Sequence, residues 1–303
     1  MAMSNKKIKL KSGHEIPLVG LGTWRLQGKD KIREVLNSAI ELGYRHIDTA
    51  YAYDNEEDIG SVLEEIFSSG KVKRSDLFIT SKLWNSFHSN PSQGLERSLT
   101  ALKLEYLDLY LVHWPVSFKN ENGKTLRYED GSPKLDKFEV VKLWSKMERF
   151  VREGKVKSIG ISNFGPENIT KILKTCSIQP SIAQFEYHPY LRQDDLVTFF
   201  KNNNIQVVSY SSLGSGSSQG PKLLNDPLLK ELAKKYGAST SQIILSFITQ
   251  QNICVVPKSS SYDHLKSNRD LLILTEDDME RIRNINTHYR YVDPIDFGLE
   301  RFN

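Results

Sequence analysis

Eight short apolar runs alternate along the chain with longer segments of helical periodicity, and this alternation restricts the fold more than any other feature. Such an alternation is typical of buried parallel strands joined by helical crossovers. Eight strands and eight crossovers in 303 residues favour the α/β class and a closed (β/α)8 TIM barrel, as a single domain over residues 1–303. The predicted strands are residues 18–22, 46–48, 77–82, 107–113, 156–162, 182–186, 206–210 and 253–258.

The segments between the runs have helical spacing and recognisable ends. In the first, apolar residues from Ile32 to Ile40 recur at i, i+3, i+4, i+7 and i+8, with Asp30 as the expected cap and Gly43 as the stop. The other predicted helices follow Asn55 as far as residue 66 and then cover residues 91–102, 140–151, 166–176, 194–203, 226–236, 241–250 and 263–269.

An open doubly wound dinucleotide-binding sheet is the rival architecture, and it requires a GxGxxG fingerprint. The pair Gly20 and Gly22 has Arg25 where the third glycine belongs, and the pair Gly214 and Gly216 has Gln219. We therefore reject that architecture.

Four segments lie outside the alternation. Residues 7–17, with a turn at Ser12 and Gly13, predict an N-terminal β-hairpin. Residues 116–137 and 211–225 exceed the usual connection length, and we expect structureless lid loops there. The C-terminal tail, 287–303, is too aromatic to be solvated, so we expect it to fold back over the barrel mouth; its aromatic residues are Tyr289, Tyr291, Phe297 and Phe302.

Composition excludes several classes of partner. Lysine and arginine total 41 against 37 acidic residues, a net charge of +4 that argues against nucleic acid. No run of 18 apolar residues and no signal peptide is recognisable, so we expect a cytoplasmic protein without a membrane partner. Cys176 and Cys254 lie in apolar stretches and indicate neither a disulfide framework nor a metal site.

Polar side chains recur at the carboxyl ends of the predicted strands, the face on which this barrel places its active site. Asp48, Lys82 and His113 end the second, third and fourth strands, and we expect Asp48 and Lys82 to form an ion pair, because two isolated charges there would be costly to desolvate. The Lys82 ammonium is expected to lower the pKa of Tyr53 and make it a general acid near neutral pH. The remaining strand-end residues are Ser162, Asn163, Gln184, Glu186, Tyr210 and Lys258.

Aromatic residues adjoin the same strand ends. Trp24, Trp84 and Trp114 predict a flat, apolar cleft that suits an aldehyde or ketone and a nicotinamide ring, with His113 as a second donor to the carbonyl oxygen. Residues 162–165 and 209–211 offer hydrogen bonds to an amide, and residues 257–261 offer a cation and hydroxyls to a phosphate. The motifs of serine hydrolases, zinc proteases and P-loop enzymes do not occur.

Residues 43–60, 79–84, 108–115 and 160–164 together resemble the signature segments of the aldo-keto reductases, the group of aldose and xylose reductases. The resemblance covers nearly the whole chain. It implies that the catalytic tetrad is Asp48, Tyr53, Lys82 and His113, and that Trp24, Trp84, His113 and Trp114 contact the carbonyl substrate. It also implies NADPH as the cofactor, bound by Gly22, Thr23, Trp24, Ser162, Asn163, Gln184, Tyr210, Ser211, Leu213, Ser215, Lys258, Ser259, Ser261, His264 and Asn268.

Departures from the family pattern limit what it implies. His264 replaces an arginine common in members that prefer NADPH, so NADH is expected to be tolerated. Ser212 replaces a proline in the loop after Tyr210, which is expected to loosen the cofactor clasp. Val292 and Ile295 replace an asparagine and a tryptophan of the xylose reductase tail, so the tail does not predict pentose substrates.

Two functions follow from the resemblance. The first is an NADPH-dependent reductase of aldehydes, with aldoses as candidate substrates, and of some ketones. The alternative is a cofactor-binding regulatory subunit with little turnover, as in the potassium-channel β subunits. The intact tetrad favours the enzyme. The sequence leaves the physiological substrate open and is compatible with a monomer or a dimer.

Overall fold

The computed structural model describes residues 5–214 and 220–297. Eight parallel strands lie side by side in chain order. Val19, just before the first strand, bridges Val255 of the last, and the Gly20 amide donates to the Val255 carbonyl over 2.8 Å, so the sheet closes on itself. The predicted α/β barrel is confirmed. Its strands are β1 (Leu21–Gly22), β2 (His46–Asp48), β3 (Phe78–Leu83), β4 (Leu107–Val112), β5 (Val156–Ser162), β6 (Ile182–Glu186), β7 (Gln206–Tyr210) and β8 (Cys254–Val255).

Six of these strands lie within one residue of their predicted ends, whereas β1 and β8 are shorter than predicted. The two short strands meet where the barrel closes. There Val19 and Val255 form a single parallel bridge, so the residues around them are held by isolated hydrogen bonds and not by a continuous ladder.

Helices cover the outside of the barrel, and each predicted helix is present. Asp30 is not the cap of the first one: that helix begins after Gly28, and Asp30 lies in its first turn, 2.5 Å from Arg33. The last helix, Glu276–Arg283, was not predicted, because it has only two buried apolar residues, Met279 and Ile282. The helices are α1 (Lys29–Glu41), α2 (Glu56–Ser68), α3 (Pro91–Leu102), α4 (Val140–Arg152), α5 (Pro166–Leu173), α6 (Asp194–Asn202), α7 (Pro227–Tyr236), α8 (Thr240–Gln250), α9 (Tyr262–Arg269) and α10 (Glu276–Arg283).

The predicted N-terminal hairpin pairs Lys7–Lys9 with Glu15–Pro17. Its buried residues Leu10 and Ile16 pack against Phe78 and Ile182, which begin β3 and β6. The hairpin therefore covers the amino ends of the strands and leaves the carboxyl ends, where the polar side chains are, open to ligands.

The loops at the carboxyl ends of the strands contain more secondary structure than predicted. The long loop at 116–137 is not structureless: Ser117–Phe118 pairs with Leu135–Asp136, and Asn120–Glu121 pairs with Lys124–Thr125. Of the other long loop, residues 211–214 and 220–225 are described, and they include a short helical turn at Leu223–Asn225. Such short pairings have little sequence signal because each involves only two residues per strand.

The C-terminal tail folds back on the barrel mouth as far as it is described. The Tyr289 amide donates to the Tyr190 carbonyl over 2.9 Å, and Phe297 packs against a cluster that contains Trp114 and Phe118. Phe302, also expected in this contact, lies outside the described residues. Within residues 5–214 and 220–297, none of the helices has the length and apolar character needed to span a bilayer.

Candidate active site

The carboxyl ends of the strands surround a cleft of about 530 Å³. Most residues predicted for the site lie on its walls, because parallel strands end at the same rim of the barrel. The predicted residues that line the cleft are Gly22, Thr23, Trp24, Asp48, Tyr53, Trp84, His113, Trp114, Ser162, Asn163, Gln184, Tyr210, Ser211, Leu213 and Lys258.

Lys82 lies just beneath the floor of this cleft, with 1% of its surface exposed. Its ammonium nitrogen is 2.5 Å from Asp48 Oδ1, 2.8 Å from the Thr49 carbonyl oxygen and 3.1 Å from the Tyr53 hydroxyl oxygen. The predicted ion pair between Asp48 and Lys82 is present. A buried ammonium is tolerated here because a carboxylate and two further oxygens accept its hydrogen bonds.

The pKa values in this array correct one expectation. Burial raises the pKa of Tyr53 above its usual value of 10.0, and the nearby Lys82 ammonium only partly opposes that effect. The prediction that Lys82 makes the phenol a stronger acid is therefore wrong for the net shift. For Lys82 itself, burial lowers the pKa, but Asp48 and Tyr53 together outweigh burial and the net pKa is raised. Tyr53 is thus a neutral phenol and Lys82 a cation at neutral pH.

His113 faces Tyr53 across the cleft, with 5.9 Å between the ring centroids. Burial, helped by the charge of Lys82, holds the pKa of His113 well below 6.5, so the imidazole is neutral. The ring is wedged between Trp84, whose centroid is 5.3 Å away, and Trp114 at 6.2 Å. A neutral imidazole keeps one N–H donor, which is what the predicted contact with a carbonyl oxygen needs.

The polar residues of β5, β6 and β7 are joined to each other and to the ion pair. Asn163, held in the left-handed region at φ 64°, donates through Nδ2 to the His113 carbonyl oxygen over 3.1 Å, and its Oδ1 accepts from the Tyr210 hydroxyl over 2.6 Å. Gln184 Nε2 donates to Asp48 Oδ2 over 2.7 Å. The link from Gln184 to Asp48 was not predicted from the sequence, because it spans the barrel between strands far apart in the chain.

Known proteins resemble this chain in sequence and in fold. The profile of the Aldo/keto reductase family matches residues 18–287. The chain belongs to the aldo/keto reductase family. Aldose reductase of Encephalitozoon cuniculi is 52% identical over 98% of this chain and 99% of its own length, and aldose reductase C of Dictyostelium discoideum is 38% identical over 95% and 92%. The solved structure of the Schistosoma japonicum aldose reductase, 34% identical, superposes with a TM-score of 0.90 over 98% of both chains.

The chain is therefore an oxidoreductase, of a family that generally uses NAD(P)H. The cleft of this reductase fits such a dinucleotide. Tyr210 presents its ring to the cleft, the polar side chains of Ser162 and Asn163 lie beside it, and the exposed Lys258 supplies a cation at the edge. A Cβ atom at Gly22 would collide with the Val256 carbonyl oxygen, so the glycine lets β1 approach the closing strand where the cleft begins.

Four other described residues predicted to bind the cofactor do not line the cleft, namely Ser259, Ser261, His264 and Asn268. Ser259 is buried and its hydroxyl accepts from the Ser261 amide over 3.2 Å, which orders the turn before α9. His264 is exposed on α9, and Asn268 is buried one turn later in that helix. Ser215 lies outside the described residues.

Sequence reasoning missed part of the substrate side of the cleft. Arg25 lines it at φ 61° and stacks on the ring of the half-exposed Trp24, 4.2 Å from its centroid. From the tail, Val292, Pro294 and Phe297 also line it. The aromatic content of the tail predicted that it covers the barrel mouth, but it did not indicate which residues of the tail line the cleft.

Proposed function

We propose that this aldo/keto reductase catalyses NADPH-dependent reduction of aldehydes, and of some ketones, to alcohols, with Tyr53 as the general acid. The observation that carries the proposal is the hydrogen-bonded array of Asp48, Lys82 and Tyr53 next to His113. These groups come from four different parts of the barrel and meet at one wall of the cleft.

The donors of Lys82 determine where the Tyr53 proton points. An ammonium has three N–H donors and no acceptor. Its three oxygen partners are Asp48 Oδ1, the Thr49 carbonyl and the Tyr53 hydroxyl, so Lys82 donates to the phenol oxygen and cannot accept from it. The phenol proton is left to donate into the cleft.

The same array supports proton transfer to the substrate. A carbonyl oxygen that accepts from both Tyr53 and His113 would be polarised where negative charge develops. When Tyr53 releases its proton, the resulting phenolate is stabilised by the Lys82 ammonium at 3.1 Å, and Asp48 keeps that ammonium charged and in place.

The cofactor would be held by the residues already described. Ser162, Asn163 and Gln184 would bind its amide, Tyr210 would stack on its ring, and Lys258 with Ser259 and His264 would face its 2′-phosphate. When bound, the reduced nicotinamide supplies the hydride for the carbonyl carbon. Because position 264 carries a histidine and not the permanent cation of an arginine, we also propose that NADH is tolerated.

The walls beyond the catalytic groups favour apolar substituents on the aldehyde. Phe297 contacts both Trp84 and Trp114 there, with its ring centroid 6.1 and 5.5 Å from those of the two tryptophans. A polyhydroxylated substrate would lose water on these surfaces with few replacement hydrogen bonds. Aldoses are therefore proposed as substrates with higher KM than apolar aldehydes of similar size.

Steady-state turnover of the purified protein tests this function. NADPH oxidation, followed by the absorbance of the reduced nicotinamide, is measured with a panel of apolar aldehydes, aldoses and ketones, and then repeated with NADH. The expected result is turnover that is fastest, per unit of substrate concentration, with apolar aldehydes. Tight binding of NADPH with no oxidation by any carbonyl compound would contradict the proposal and support a regulatory subunit.

A further inference from the structure

Glu186 is a fully buried carboxyl group at the carboxyl end of β6 that the proposed chemistry does not use. Its Oε1 accepts hydrogen bonds from the Tyr291 amide over 2.7 Å and from His188 Nε2 over 2.8 Å. Its Oε2 accepts from the Val292 amide over 2.9 Å. Two of its three donors are therefore backbone N–H groups of the C-terminal tail.

The residues that follow these two amides form one wall of the cleft. Val292, Pro294 and Phe297 line the cleft beside the catalytic groups. The Phe297 ring packs at 5.1 Å from Phe118, centroid to centroid, and also contacts Trp84 and Trp114. The position of this wall depends on where the chain leaves residues 291 and 292.

The hydrogen bonds from the tail and the burial of the carboxyl group depend on each other. A buried carboxylate is stable only when donors replace its water, and bonds to a charged acceptor are stronger than neutral ones. Release of the tail would leave Glu186 with one side-chain donor, His188, among the described residues. The tail is thus held in place by a buried carboxyl group to which, among the described residues, only His188 donates besides the tail.

Further contacts orient the tail toward the same point. Gln193 Nε2 donates to the backbone carbonyl oxygen of Glu186 over 2.6 Å, while its Oε1 accepts from Arg290 over 3.1 Å. Glu186 also lies two residues after Gln184, whose amide holds Asp48, so both side chains are on one face of β6. One strand therefore supports both the catalytic ion pair and the tail.

We propose that Glu186 is a positioning residue that fixes the C-terminal tail as the apolar wall of the cleft and thereby sets selectivity among aldehydes. This inference rests on the proposed reductase function. Its effect falls on aldehydes whose substituent reaches Phe297, and short aldehydes that contact only Tyr53 and His113 are nearly unaffected.

The test compares E186Q with E148Q as a matched control. Glu148 on α4 is also buried and also accepts two backbone N–H groups, from Ser177 and Ile178, but these belong to a loop outside the cleft. For E186Q we expect KM for a long apolar aldehyde to rise about tenfold with kcat changed less than about threefold, and KM for a short aldehyde to stay within about twofold. For E148Q we expect no change in either KM. Equal KM changes for both aldehydes in E186Q, or no change, would overturn the inference.

A double-variant cycle and hydrogen exchange distinguish anchoring from loss of stability. If Glu186 acts through the tail, E186Q adds no further rise in KM for the long aldehyde once F297A is present, whereas additive effects would overturn the inference. Amide exchange of residues 289–297, measured without substrate, should become faster in E186Q and in V292P, which removes one tail donor without altering β6. Unchanged exchange in both variants would contradict anchoring. If exchange is faster in both variants but the protein reduces no aldehyde, the anchoring role of Glu186 is supported and the reductase function alone is refuted.

Discussion

Gln184 Nε2 donates a 2.7 Å hydrogen bond to Asp48 Oδ2, the oxygen of that carboxylate that Lys82 does not occupy. Each oxygen of Asp48 thus has its own donor, and Gln184, which is expected to bind the cofactor amide, is tied to the ion pair proposed for catalysis. The orientation of Gln184 in the cleft is consequently fixed by its hydrogen bond to Asp48.

Replacement of this amide by a carboxyl group should destabilise the fold. In Q184E the introduced carboxyl faces Asp48, so its pKa is raised in the folded state, and the stability it removes grows as pH rises above its unfolded pKa of about 4.3. We expect a loss of about 3 kcal/mol in the free energy of unfolding at pH 8, and less at pH 5. Urea unfolding at both pH values measures this loss of stability, with Q93E on α3 as the control. An equal loss of stability at both pH values would contradict a contact between residue 184 and the Asp48 carboxyl group.

Removal of the Tyr53 hydroxyl should abolish reduction and spare cofactor binding. General acids contribute about 10²- to 10⁴-fold to rate, so Y53F should lower kcat at least a hundredfold. Cofactor affinity, measured by quenching of tryptophan fluorescence, should change little. The matched control is Y51F, two residues earlier in the same helical turn, where the ring packs on Phe87 and the rate should stay near that of the unaltered protein. Substantial turnover by Y53F would show that Tyr53 is not the general acid.

The pH dependence of reduction should be flat through the neutral range. The proposed reduction needs protonated Tyr53. Burial raises the pKa of that phenol, so the protonated form persists up to at least the usual pKa of about 10. His113 stays neutral because burial holds its pKa well below 6.5. We expect kcat at saturating aldehyde and NADPH to vary less than about twofold between pH 6 and pH 9 and to fall at higher pH. A titration step near pH 6.5 would show that His113 ionises in the working enzyme.

Restoration of a permanent cation on α9 should favour NADPH over NADH. His264 is exposed on that helix, near the turn that Ser259 and Ser261 order. In H264R an added charge-assisted hydrogen bond to the 2′-phosphate, weakened by solvent, should tighten NADPH by about fivefold and leave NADH nearly unchanged. Dissociation constants for both cofactors measure this, with H14R on the N-terminal hairpin as the control. An equal gain in affinity for the two cofactors would show that residue 264 does not contact the 2′-phosphate.

Local patterns were sufficient to predict most of the fold. The runs that become β2, β5, β6 and β7 were recognisable with their observed bounds, because a buried parallel strand needs a short apolar run whatever its neighbours are. Helix α10 escaped prediction because two buried apolar residues are too few to define a helical face.

The sequence by itself determined the barrel and the meeting of Asp48, Lys82 and His113 at one rim, since strands of a parallel barrel all end on the same side. Only the tertiary structure decided how those groups behave. The net direction of the Tyr53 pKa shift is the balance of burial against one charge, which depends on how tightly distant segments close around the phenol. The contact of Glu186 with Tyr291 joins residues 105 positions apart, and no local pattern encodes such a distance, because the folded chain alone brings the two groups together.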